Sequence, residues 1–136
     1  MADLKGHATA LVEAFNVGDL DTYMRLVGDA EYQELATQRN LSGDALREAL
    51  VGWRTAFPDI AGTITNTVEG GGQVVQEITW TGTHTGPLAT PDGEIPPSGN
   101  RQTTPAVIVS QYEEDELLVI RHYFDLMSLM AQIGAL

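Results

Sequence analysis

From Ile60 onward the hydrophobic period of this chain changes from about 3.6 to 2, and that change restricts the fold more than any other feature. Before it, apolar residues recur at helical spacing. Leu4, Ala8, Leu11 and Phe15 share one helix face, and Leu46, Ala49, Leu50, Trp53 and Phe57 share another. After it the period is 2. From Val74 to about Thr85 one face carries Val74, Gln76, Ile78, Trp80, Gly82 and His84, and the other carries Val75, Glu77 and a row of threonines. Helices first and antiparallel strands after them give an α+β fold: a curved sheet with its helices gathered on one face. Such a sheet makes a cone, and the interior of a cone is a natural place for a small apolar ligand.

The punctuation agrees with that division. The first helix ends at Asn16-Val17-Gly18, and Asp19 can cap a short second helix through Tyr23, Met24 and Val27. A strand of weak β character is expected over 30–37. Ser42 opens the third helix, and Pro58 stops it because the residue before a proline is pushed out of the α region. Strands are predicted for Thr63 to Val68, Val74 to Thr85, Thr103 to Tyr112 and Leu117 to Phe124, with Gly70-Gly71-Gly72 as a hairpin turn and Glu113 to Glu116 as a second turn. Gly86 to Arg101, rich in proline and glycine, reads as a loop of functional length. Leu126 to Ile133 is a short amphipathic helix. There is no repeat or linker, so residues 1–136 are read as one domain.

Charge narrows the partners. Nineteen acidic residues against seven basic ones give a net charge of −12, and the basic residues are scattered singly. That field repels phosphate backbones and anionic membrane surfaces, so neither nucleic acid nor membrane is expected as a partner. No apolar run approaches the ~20 residues that cross a bilayer. Met1 to His7 lacks the basic stretch and apolar core of a signal peptide, and cysteine is absent, so a cytoplasmic protein without disulfides or thiolate sites is expected. Three scattered histidines without HxH or HxxxH spacing give no expectation of a metal.

One carboxylate sits in a suggestive place. Asp125 follows the apolar strand that ends at Tyr123-Phe124 and precedes Leu126-Met127, where partial desolvation would raise its pKa toward that of a general base. Its competing role is the N-cap of the last helix. Parity groups Arg121, Tyr123 and Asp125 on one face and turns His122 away from them. His84, at a strand end and facing as Trp80 does, could donate a hydrogen bond to a substrate carbonyl, or be satisfied by the adjacent loop. His7 is expected to be solvated. Tyr23, Trp53, Trp80, Tyr123 and Phe57 are candidates for core or pocket wall.

Several segments together resemble a known family. Trp53-Arg54-Thr55-Ala56-Phe57-Pro58-Asp59-Ile60, Gly82-Thr83-His84-Thr85-Gly86-Pro87-Leu88, Ile95-Pro96-Pro97-Ser98-Gly99, and Tyr123-Phe124-Asp125 followed by Leu129-Met130-Ala131-Gln132-Ile133-Gly134 are similar, in order and spacing, to SnoaL-like polyketide cyclases and their ester cyclase relatives. The segment Glu31 to Thr37 is more like the ester cyclases. The resemblance implies the cone-shaped α+β barrel of the nuclear-transport-factor-two-like superfamily, a curved antiparallel sheet wrapped around N-terminal helices with an apolar pocket. It implies an aspartate at the Asp125 position as general acid/base, a pocket-lining histidine at His84, and no metal or cofactor. The expected function is therefore a cofactor-free cyclase or isomerase acting on a polyketide-like or polycyclic carbonyl compound by aldol-type chemistry. In that expectation Asp125 takes the proton and His84 or Tyr123 holds the oxyanion. Tyr23, Trp53, Trp80, Arg121 and Glu34 contact the substrate, and the Gly86 to Arg101 loop covers the mouth. Epoxide or ester hydrolysis, or simple binding of a hydrophobic metabolite, are the alternatives. A homodimer is expected through the threonine-rich sheet face.

Overall fold

The computed structural model describes residues 3–136. Its elements in chain order are α1 (Leu4–Asn16), α2 (Leu20–Val27), β1 (Glu31–Glu34), β2 (Arg39–Leu41), α3 (Gly43–Ala56), β3 (Ala61–Gly70), β4 (Gln73–Thr83), β5 (Leu88–Thr90), β6 (Gly93–Ile95), β7 (Arg101–Glu113), β8 (Glu116–Phe124) and α4 (Leu126–Gln132). Short acidic side chains start three of the four helices. Asp3, Asp19 and Asp125 accept the otherwise orphaned N–H groups of Gly6, Thr22 and Ser128. Ser42 stands at the N-cap of α3 without a side-chain cap bond.

Six strands form one sheet in the order β2-β1-β8-β7-β4-β3, and β5-β6 form a separate small hairpin. Both long hairpins, β3–β4 and β7–β8, turn on two residues with φ > 0. Gly71 and Gly72 supply this without steric penalty, whereas Glu114 and Asp115 adopt it with side chains attached. Register shifts at Ile64/Asn66 and at Gln111/Tyr112 mark bulges, which bend the sheet. The concave face closes over α1, α2 and α3, burying Leu11, Phe15, Leu46, Phe57, Ile78 and Ile120 among others.

Three expectations are corrected here. The sheet is mixed: β1 runs parallel to β8, which periodicity within either strand cannot reveal. It is a cone without closure, since β2 and β3 are its two edges and do not pair with each other. The segment from Gly86 to Arg101 is not a plain loop but holds β5 and β6. Leu88 is buried, and Thr85 and Gly86 donate to the Ala56 carbonyl at the end of α3. Among the described residues no helix is long and apolar enough to cross a membrane.

Candidate active site

Alternation along each inward-facing strand, together with the helical stripes, builds one internal cavity of about 80 Å³. Val12 and Phe15 of α1, Tyr23 of α2, and Leu50, Trp53 and Phe57 at and beyond α3 form its apolar wall. The sheet contributes most of the polarity: Tyr32 and Glu34 from β1, Trp80 from β4, Gln102, Thr104 and Ser110 from β7, and His122 from β8. In β1 the buried positions are Tyr32 and Glu34, two apart and therefore on one face. Parallel pairing sets Glu34 beside His122 in register, which places a carboxylate and an imidazole on adjacent strands.

Glu34 is 2% exposed, and both of its oxygens accept hydrogen bonds, three on Oε1 and one on Oε2. Its Oε1 accepts from Thr37 Oγ1 and from Arg39, whose Nη2 lies 2.8 Å away; its Oε2 accepts from Trp53 Nε1 at 3.0 Å. Arg39 compensates the buried charge from a half-exposed position, as burial of a carboxylate requires. Trp53 is fixed in turn by stacking on Phe57 and by an edge contact with Phe124. Of the residues lining the cavity, Glu34 is the one carboxylate.

His122 is the centre of a second chain. Trp80 Nε1 donates to its Nε2 at 3.0 Å, and its Nδ1 meets the Tyr32 hydroxyl at 2.7 Å. Burial pushes the His122 pKa down to about 4, against the opposing pull of Glu34. Burial also holds the Tyr32 phenol well above its usual range, and both side chains are therefore neutral near pH 7. Within the neighbouring strand β7, Thr104 Oγ1 donates to Gln102 Oε1 at 2.6 Å.

The sequence-predicted residues fall into three places. Tyr23, Trp53, Trp80 and Glu34 line the cavity. Arg121, Tyr123 and Asp125 share one face, as parity predicts, but it is the convex one. Arg121 donates to Gln111 Oε1 at 3.0 Å, Tyr123 is 44% exposed, and Asp125 is exposed with its carboxylate on the Ser128 amide at 3.0 Å. Asp125 thus lacks the desolvated setting expected of it, because the strand has ended and the side chain turns back to cap α4. His84 is buried outside the cavity lining. Its Nδ1 accepts the Ser98 amide at 3.1 Å and its backbone pairs with Gly99 and Asn100, so it pins the segment after β6. No residue of 86–101 lines the cavity. His7, expected in solvent, bridges Tyr112 and the Leu26 carbonyl.

Sequence reasoning missed Tyr32 and set His122 aside. The pairing of Ile120, His122 and Phe124 on one face was visible. The charge of Arg121 was the signal that the other face meets solvent, and hence that His122 points inward. Among the described residues no three His, Cys, Asp or Glu side chains are gathered so as to hold a metal ion.

Comparison with known proteins bears on this architecture. The family model for SnoaL-like polyketide cyclases matches residues 5–133. Sequence comparison with curated proteins finds no match. The fold is similar to AclR, a candidate hydroxylase from Streptomyces galilaeus (TM-score 0.82, 20% identity, covering 97% of this chain and 85% of that one). It is similar to IdmH, a candidate polyketide cyclase from Streptomyces antibioticus (TM-score 0.79, 22% identity, 96% and 97% covered). TsrD from Streptomyces laurentii superposes over both chains in full (TM-score 0.75, 23% identity, 100% and 100% covered).

Proposed function

The chain belongs to the SnoaL-like polyketide cyclase family, and we propose that it catalyses a cofactor-free proton transfer on a carbonyl compound, with Glu34 as the general base. The observation that carries this reading is the position of Glu34: a buried carboxylate, held by Arg39, Thr37 and Trp53, on the wall of an otherwise apolar cavity. A base must be fixed and partly dehydrated to act on carbon, and these contacts supply both conditions.

A carboxylate is a weak base, so the C–H that it attacks needs activation by one or two neighbouring carbonyls. Glu34 Oε2 takes that proton, leaving an enolate. The enolate either attacks a second carbonyl of the same molecule, whose alkoxide then takes the proton back from Glu34, which is an aldol cyclisation, or is reprotonated by Glu34 at another carbon, which is an isomerisation. Both outcomes share the first step, and the aromatic wall of Phe15, Tyr23 and Trp53 excludes water from it. The cavity of about 80 Å³ admits the reactive end of a ligand, a few heavy atoms, so a fused-ring substrate requires the wall to move.

The test is proton exchange at carbon. Small 1,3-dicarbonyl compounds and cyclic enones are incubated in D₂O with the protein, and deuterium uptake above the uncatalysed rate is followed by NMR. Glu34→Gln is expected to lower the catalysed rate ~10²–10⁴-fold, while Asp125→Asn leaves it unchanged. Exchange that survives Glu34→Gln and disappears in Asp125→Asn would return the base to the convex face. Tight ligand binding with no exchange in the unaltered protein would leave a binding protein.

A further inference from the structure

The hydrogens along Trp80, His122 and Tyr32 are fixed by chemistry. An indole N–H can only donate, so His122 Nε2, 3.0 Å from Trp80 Nε1, must present its lone pair. A neutral imidazole with a bare Nε2 carries its proton on Nδ1. That proton lies on the 2.7 Å contact with Tyr32, whose oxygen is therefore the acceptor. The reverse arrangement, with Tyr32 donating to Nδ1, would put a proton on Nε2 and set two N–H groups against each other.

The consequence is a free proton. Tyr32 is 6% exposed, and His122 is the one partner of its hydroxyl among the described residues. Glu34, two residues along the same strand face, is engaged by Arg39, Thr37 and Trp53 and not by Tyr32. The Tyr32 hydroxyl hydrogen is thus a buried donor without an acceptor, on a residue of the cavity wall.

We infer that Tyr32 is the hydrogen-bond donor to the ligand's oxygen, and that Trp80 and His122 are positioning residues which free its proton for that contact. This rests on the reading above and deepens it: when Glu34 removes a proton from carbon, negative charge collects on the adjacent carbonyl oxygen, and Tyr32 is the group that receives it. The chain Trp80 N–H to His122, His122 N–H to Tyr32, Tyr32 O–H to ligand runs in one direction, so each link polarises the next. It selects for ligands that offer an acceptor oxygen, a ketone, enone or enolate, and against groups that can only donate.

Two measurements on the full chain test this. In ¹⁵N-histidine NMR, the resonance lost in His122→Asn is expected to report a neutral imidazole protonated on Nδ1; an Nε2–H tautomer overturns the assignment without any ligand. In infrared spectra, cyclohex-2-enone labelled with ¹³C at the carbonyl is expected to bind with its C=O band shifted to lower frequency. Tyr32→Phe should abolish the shift and weaken binding about three- to tenfold. Trp80→Phe, which releases Nε2, should move His122 toward the Nε2–H tautomer and diminish the shift although Tyr32 is intact. Glu34→Gln should keep the shift while losing exchange, which separates a failure of the base from a failure of the donor. An enone that does not bind, or a carbonyl band indifferent to Tyr32→Phe, overturns the proposal.

Discussion

Lowering the pH from 7 to 5 should cost about 2 kcal/mol of folding stability through His122 alone. The imidazole has an ordinary pKa of 6.5, and burial against Tyr32 and Trp80 drops it to about 4 in the folded chain. Between those values the unfolded chain holds a proton that the native chain refuses. The linkage slope is therefore positive: this stability is present in full above pH 6.5 and is lost as the pH falls toward 4. Over the whole window the loss approaches about 3 kcal/mol, at 1.36 kcal/mol for each pKa unit. A protein of this size has roughly 5–15 kcal/mol in total, so the effect is large. The assay is urea unfolding, followed by far-ultraviolet circular dichroism at half-unit steps from pH 7 to 5, on the unaltered chain and on His122→Gln. Gln still accepts from Trp80 but has nothing to protonate. His84, lowered by burial, and Asp19 and Asp59, lowered by hydrogen bonds from Thr22 and Thr83, act in the same direction in both proteins, so the difference of slopes isolates His122. Parallel slopes, or a variant that loses stability faster than the parent, would refute the reasoning about this site.

Two smaller perturbations follow from local geometry. Asp125→Ala should destabilise the chain by about 1 kcal/mol through loss of the α4 cap, whereas Asp125→Asn, also a good cap, should cost a few tenths at most, as read by chemical denaturation. Gly86→Ala should cost about 3 kcal/mol or more. A Cβ there would overlap the Thr55 carbonyl oxygen, and relieving the clash breaks the Gly86 N–H bond to Ala56; a melting temperature within a degree or two of the parent's would contradict it.

How much of this was legible in the chain depends on the range of the interaction concerned. The helical stripes of α1 and α3, the turn at Gly71-Gly72 and the alternation of β4 are set by neighbours in sequence, and they read correctly. So did the inward set of Trp80, Trp53 and Tyr23. β1 read weakly because Glu31, Gln33 and Glu34 are poor strand formers. What makes the segment a strand is parallel pairing with β8, far along the chain, and that is invisible to local propensity. Asp125 attracted attention by its apolar flanks, but flanks do not tell which face a residue takes. Arg121 does, and it lies on the same face. β5 and β6 escaped notice because three-residue strands between prolines leave no periodic signal.

The join between β1 and β8 also has a meaning for biosynthesis. Tyr32 and His122 are 90 residues apart, and the chain between them runs through β2, α3, β3, β4 and β7 before it returns to β1's side. A chain emerging from the ribosome can form its helices and the β3–β4 hairpin early, yet it cannot assemble the polar wall of the cavity until the last strand is free of the exit tunnel. Until then β1 has one antiparallel neighbour at most, and the concave face that will enclose the ligand lies open along one side. Closure of that long loop is the slow kind of contact in folding. Ligand affinity should accordingly emerge only in the step that seats β8 beside β1.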